Sequence, residues 1–411
     1  MMHMANALAL LALLILPAHP GEGRGATVRI GLFSLFKPEV LQARIASGEG
    51  ATLDTGTVSG NRRIARGDMI RIRLVSNQLN VTVSDSFGRV SRSLNTTEAR
   101  IIPAGSTTIE LIIPGKMNRP VRGEVIVAPR ERRPRGSLSI MLATDRESAV
   151  ASVVAAEIGN GRSQEAVKSL AVVVRTFMLS HAGRHAGEGF DFCDTTHCQL
   201  YKGEAAPDES ALPVVRNAVA ATAGEFLSYG NRPLATYFTA VCGGLSATPG
   251  MVWGGQSDGD YVYHRVACRW CRASRYNKWE RASSTALLLD ALSDSVGVRL
   301  SRTTEIIVDS FDESGLVRSV IIKDAGRQIT MGADEFRRAI GRKLGWSTVL
   351  SPTFTVERRG SLMIFRGRGF GSQVGLCLAG ALAQAEAGHT YREILNFYYP
   401  RTEITISPAH E

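Results

Sequence analysis

The chain has 411 residues, enough for two or three domains, and its 44% hydrophobic and 21% charged residues exclude wholesale disorder. Its 41 glycines favour a loop-rich or sheet-rich architecture over a helical bundle. The net charge of +10 points to a polyanion such as nucleic acid, anionic lipid or an acidic wall polymer, and with no zinc-finger spacing, ribonucleoprotein signature or basic heptad region the sequence argues against nucleic acid.

An apolar run from Ala7 to Leu16, followed by Pro17, His19 and Pro20, has the length of a signal-peptide core and is too short to span a bilayer. Residues 1–22 are therefore read as a signal peptide, and no later segment could cross a membrane. The chain is expected to be exported to the periplasm or cell wall.

Residues 23–135 read as a β-rich N-terminal domain. Val28–Leu32, Ile70–Leu74, Asn80–Val83 and Glu110–Ile113 carry strand patterns, the first two with clear alternation of apolar and polar side chains. Arg130, Arg132, Arg133 and Arg135, interleaved with prolines, read as a solvated linker.

Beyond Pro134 the pattern turns mixed, and an α+β domain is expected. Ala149, Val150, Val153, Val154 and Ala156 predict a helix stopped by Gly159-Asn160-Gly161. Ser163 is placed to cap a second helix, with apolar positions Val167, Leu170, Ala171, Val174, Phe177 and Met178. A helix near Val214–Ala221 leads to strands around Glu225–Leu227 and Thr236–Phe238, then the glycine loop Cys242-Gly243-Gly244. Residues 136–282 and 361–411 are assigned to this domain, with 283–360 as an inserted subdomain. Within the insert, Ile306–Val308 and Val320–Ile322 read as strands and Glu335–Lys343 as a helix. A helix from Val374 to Ala387 should follow the run Arg366-Gly367-Arg368-Gly369-Phe370-Gly371, whose glycines could admit a ligand near an electropositive helix start. Thr390 and Glu393 form a capping box for a last helix that Pro400 ends.

Three groups of residues could carry chemistry. Glu157 falls on the apolar face of the first helix, where burial would raise its pKa toward that of a general acid; the alternative is a solvated glutamate at the helix end. Lys168 and Arg175, seven apart on the next helix, could hold a carboxylate or sugar substituent or form a solvated stripe. His185, Cys193, His197 and Cys198 bring zinc-ligand types into a short loop; His181 could replace His185, and a Cys193–Cys198 disulfide is the alternative. For Cys242, export and the Cys268-x-x-Cys271 pair suggest a disulfide to Cys268 or Cys271.

Val153-Val154-Ala155-Ala156-Glu157, Glu165–Lys168 and Ala171–Phe177, with the run Gly189–Gly203 containing Cys193-Asp194-Thr195-Thr196-His197-Cys198, resemble the stage II sporulation protein D family, also called the amidase-enhancer family. Tyr237-Phe238 with Gly243-Gly244, Val252–Gly255, Gly367–Leu376 and Tyr391–Pro400 extend the resemblance over roughly residues 120 to 405. It implies a peptidoglycan lytic transglycosylase that cuts between N-acetylmuramic acid and N-acetylglucosamine in strands stripped of stem peptides, leaving 1,6-anhydro ends. It also implies an N-acetylmuramoyl-L-alanine amidase as partner. The family's catalytic glutamate falls on Glu157, its basic residues on Lys168 and Arg175, and its Cys/His metal loop on Cys193, His197 and Cys198, where a structural zinc ion is expected. Tyr237 falls among the substrate-binding positions. So do Ser372 and Gln373, which stand where the family has histidine and glycine. A second departure is Ile158-Gly159 in place of Met-Pro. The departures make a non-catalytic glycan-binding amidase enhancer the alternative function; a secreted zinc hydrolase is a third.

Overall fold

The computed structural model describes residues 27–56, 61–130, 136–158, 163–204, 212–254, 264–311 and 313–406. The signal-peptide segment, most of the arginine-rich linker and the Gly159–Gly161 break lie outside these residues. The fold is α+β.

Two sheets build the N-terminal part. One has the strand order Phe192–Cys193, Thr27–Leu32, Leu138–Asp145, Glu124–Pro129, Ala99–Pro103, Ala51–Asp54, Arg62–Ile64. The other runs Met117–Val121, Thr108–Ile113, Val40–Ser47, Met69–Val75, Gln78–Ser84, Val90–Thr96. Alternation decides which face is buried: Ile70 and Ile72 are in the core while Arg71 and Arg73 face water.

The first sheet does not respect the expected boundary at residue 135. Strand Leu138–Asp145 pairs with Thr27–Leu32 and Glu124–Pro129, and Phe192–Cys193 adds a parallel strand at its edge. The β-rich part and the helices that follow share one continuous core.

The helices are α1 (Arg146–Ile158), α2 (Gln164–Ser180), α3 (Leu212–Ala221), α4 (Pro249–Trp253), α5 (Thr285–Val296), α6 (Ala333–Leu344), α7 (Leu378–Glu386) and α8 (Tyr391–Tyr398). Helix α2 is buried nearly all round from Ala166 to Met178, and α1, α3, α7 and α8 pack on it. Asp145 starts α1 by accepting a hydrogen bond from the Ser148 N–H at 3.0 Å. Ser163 stands at the cap position of α2, but its side chain makes no capping bond. The Thr390–Glu393 capping box of α8 is present in full.

The insert has its own core. Trp279, Leu288, Leu292, Phe336, Phe354 and Phe365 pack together between α5, α6 and two three-stranded sheets. That core reaches from Trp279 to Phe365, slightly beyond the expected 283–360.

Helix α7 begins at Leu378 rather than near Val374, because Leu376–Cys377 pairs as a parallel strand with Phe238–Thr239. The glycine run at 367–371 is thereby separated from the helix start, and the expected ligand cradle is not formed there. Gly369 serves chain packing instead: its φ is +86°, and a Cβ would lie 2.5 Å from the Gln373 amide and 2.8 Å from the Val241 carbonyl.

Candidate functional site

Glu157 sits in the last turn of α1, half-buried against the apolar face that carries Val150, Val153 and Val154. Burial pushes its carboxyl up from 4.5 to about 7, and the positive charge of Lys202 opposes the rise only in part. At neutral pH this carboxyl is shared between its acid and base forms, as a group that must both give and take a proton requires.

Lys202 belongs to a segment laid along α1. The Ser152 hydroxyl donates to the Gly203 carbonyl at 2.7 Å, and the Glu204 N–H donates to the Pro120 carbonyl at 2.9 Å. Gly203 has φ +85°, and a Cβ there would be 2.1 Å from the Pro120 oxygen, so only glycine lets the segment approach this closely.

Four residues upstream of Lys202 the chain enters the Cys/His cluster. The donor atoms of His185, Cys193, His197 and Cys198 all lie within 4.8 Å of one another. Cys193 Sγ is 3.7 Å and Cys198 Sγ 3.8 Å from His197 Nδ1, and Cys198 Sγ is 3.3 Å from His185 Nε2. A tetrahedral zinc site with ordinary Zn–S and Zn–N bonds has edges of about 3.3–3.8 Å, so these residues fit such an ion. His185 Nδ1 meets the Glu188 carboxylate at 2.9 Å, the outer partner that orients a ligating imidazole. With four protein donors converging, no position is left for a reactive water. His181 is not part of the cluster.

The same loop is bolted to the β-rich part. The carboxylate of Asp194 accepts from Arg119 Nη1 at 2.7 Å and from the Phe33 N–H at 2.7 Å, and both side chains of this ion pair are almost fully buried. Arg119 also lies over the Phe33 ring.

The two expected basic residues part company. Arg175 is fully buried; its guanidinium donates twice to Glu147, at 2.7 and 2.6 Å, and once to the Glu225 carbonyl at 2.9 Å. It clamps α2 to α1 and to the strand Glu225–Tyr229, and the pairing is what lets a cation be buried there, because an unpaired one would be costly. Lys168 is half-exposed, pairs with Glu165 at 2.7 Å and lies over the Tyr391 ring, joining α2 to α8.

Tyr237 is half-buried. Its hydroxyl meets His181 Nε2 at 3.2 Å, and its ring lies 4.8 Å from that of Trp253, which is 42% exposed. Burial pulls His181 down to about 4, so it is a neutral imidazole at physiological pH, stacked on Phe177. Phe177 in turn touches Phe192, next to Cys193. Ser372 is half-exposed and its hydroxyl accepts from the Val374 N–H.

Gln373 is not a substrate contact. It is 1% exposed, with φ +64°, and every polar atom of its amide is engaged. Nε2 donates to the Cys242 and Arg368 carbonyls, both at 2.9 Å, and Oε1 accepts from the Thr353 hydroxyl at 2.7 Å. The left-handed backbone explains why glycine suits this position; here a glutamine tolerates the conformation and ties three segments together.

The pattern of the sequence did not single out Gln199 or Trp253. The Gln199 amide is buried with neither atom hydrogen-bonded among the described residues, and only burial could have revealed it. The expected disulfide of Cys242 is also absent: Cys242, Cys268 and Cys271 are free thiols, joined by Cys377, and they pack together in the core. None of the helices among the described residues is long and apolar enough to cross a membrane.

Residues 135–229, which span Glu157, α2 and the whole Cys/His loop, match the family model described as stage II sporulation protein. An uncharacterised protein of Brachyspira hyodysenteriae is 31% identical over 259 residues, covering 63% of this chain and 66% of that protein, just under two thirds of its length. Stage II sporulation protein D of Bacillus subtilis is 28% identical over 278 residues, 64% of this chain and 75% of that protein. The amidase enhancer of the same organism is 40% identical over 78 residues, 19% of this chain and 10% of that protein. The matched region coincides with the helix that carries Glu157 and the loop that gathers four metal-ligand side chains, so residues 135–229 carry a domain of the stage II sporulation protein type, and the chain is similar to stage II sporulation protein D and, over a shorter stretch, to an amidase enhancer.

Proposed function

We propose that the protein is an exported lytic transglycosylase of peptidoglycan, acting on denuded glycan strands in the periplasm or cell wall, with Glu157 as its acid and base. The observation that carries this is the Glu157 carboxyl, raised to about 7 by burial on a helix face. In its protonated form Glu157 donates to the oxygen of the bond between N-acetylmuramic acid and N-acetylglucosamine as positive charge develops at the anomeric carbon. As carboxylate it then takes the proton of the muramyl 6-hydroxyl, whose oxygen closes the 1,6-anhydro ring. No water attacks, so one carboxyl completes the cycle, unlike hydrolysis with two.

The remaining residues would support that chemistry. Zinc on His185, Cys193, His197 and Cys198 would fix the loop leading to Lys202 and so the electrostatics around Glu157. Tyr237 and the exposed Trp253 offer aromatic faces suited to a sugar, and Lys168 and Ser372 offer polar groups.

The test is incubation with amidase-treated glycan and mass spectrometry for anhydro-muramyl ends. Wild type should release them, and Glu157→Gln should lower the rate by about 10²–10⁴ while glycan affinity persists. Anhydro product formed by the variant at the wild-type rate would remove Glu157 from this role.

A second function is favoured by Ser372, which stands where the family has histidine, and by the similarity to an amidase enhancer. In it the protein binds glycan and stimulates an amidase without cutting. Wild type would then yield no anhydro ends, and Glu157→Gln would leave both affinity and stimulation intact.

A further inference from the structure

Away from the Cys/His loop, the four remaining cysteines meet inside the protein. Cys242 comes from the glycine loop, Cys268 and Cys271 from either end of a short helical turn, and Cys377 from the residue that precedes α7. All four are buried, none more than 1% exposed. Their sulfurs all lie within 4.8 Å of one another, with Cys242 and Cys271 3.6 Å apart.

Those spacings discriminate between occupants. Four thiolates around one zinc ion are separated by about 3.8 Å. An iron–sulfur cluster places several irons and sulfides between its cysteines and needs them much farther apart. The surroundings also suit thiolates. The Cys242 N–H donates to Cys377 Sγ at 3.3 Å, and the Tyr398 hydroxyl lies 3.3 Å from Cys268 Sγ. Cys377 stands at the start of α7, where the helix dipole favours negative charge. Two disulfides would leave these donors facing uncharged sulfur.

We propose that Cys242, Cys268, Cys271 and Cys377 bind one zinc ion in a closed, structural site, separate from the Cys/His loop. The chain leaves this site after Cys271, builds the second core between Trp279 and Phe365, and returns to it at Cys377. The ion thus fastens both ends of the insert to the main core.

The test uses the full chain, purified under reducing conditions from zinc-supplemented medium. Wild type should carry about two zinc ions, and X-ray absorption should give an average of about three sulfurs and one nitrogen per zinc, with sulfur at about 2.3 Å. His185→Ala with Cys198→Ser should retain about one zinc surrounded by four sulfurs alone. If that variant does not fold, the wild-type spectrum decides, because a sulfur share above that of a two-cysteine, two-histidine site requires the second group. Zinc with only two sulfur ligands, iron in its place, or disulfides among these four cysteines in unreduced peptide maps would overturn the proposal.

Discussion

The guanidinium of Arg175 grips the carboxylate of Glu147 through two hydrogen bonds of 2.7 and 2.6 Å, joining the first turn of α1 to the middle of α2. Helix α1 carries Glu157 at its other end, so this pair anchors the helix on which the carboxyl stands. Removing one partner of a buried pair costs about 3 kcal/mol or more. Arg175→Ala should therefore lower stability to urea by that amount, while glycan affinity per folded molecule stays at the wild-type level. Lost affinity at unchanged stability would return Arg175 to the binding surface.

Glu157 makes stability depend on pH in a defined direction. Its carboxyl is raised from 4.5 to about 7 in the folded protein. Between those values the native state holds more protons than the unfolded chain, so stability falls as pH rises through that window and is flat above it. Glu157→Gln lacks this penalty. It should match wild type near pH 4 and exceed it at pH 8 by up to about 3 kcal/mol, as read from urea unfolding at both pH values. An equal difference at both would mean that Glu157 titrates normally.

The loop from His185 to Glu204 should depend on its metal. Cys198→Ala, or chelation of wild type, should speed hydrogen exchange of these amides while strand Gln78–Ser84 remains protected. Activity should fall too, since Lys202 and the Gly203 contact to Pro120 follow from the same loop. Unchanged exchange after metal removal would show that the Arg119–Asp194 pair holds the loop alone.

Gln373 offers a separation of backbone from side-chain effects. Gln373→Ala keeps the left-handed strain at φ +64° and strands the Cys242 and Arg368 carbonyls and the Thr353 hydroxyl. Gln373→Gly loses the same bonds but relieves the strain, so it should be more stable than the alanine variant by about 1 kcal/mol. Thermal unfolding of the pair measures the difference, and a more stable alanine variant would contradict the backbone assignment.

Much of this was legible in local pattern. Strand alternation placed Ile70 and Ile72 inward, apolar spacing found α2, and residue type alone assembled His185, Cys193, His197 and Cys198. What failed was long-range. Helical spacing put Lys168 and Arg175 on one face but could not show that Glu147, 28 residues away, waits opposite only one of them. Cys377 is 135 residues from Cys242, outside any motif window, so the Cys-x-x-Cys pair looked solitary. The start of α7 was displaced because pairing with Phe238–Thr239 outweighed the helical preference of residues 374–377.

The strand Thr27–Leu32 lies between Leu138–Asp145 and Phe192–Cys193, so its partners are synthesised long after it. Thr27 cannot close its ladder until Asp145 exists, and the edge that holds Cys193 comes later still. Such distant closure slows folding and leaves an early, unpaired sheet edge exposed to association. Thr27–Leu32, the first strand among the described residues, therefore completes its pairing only when the loop that gathers the metal ligands is in place.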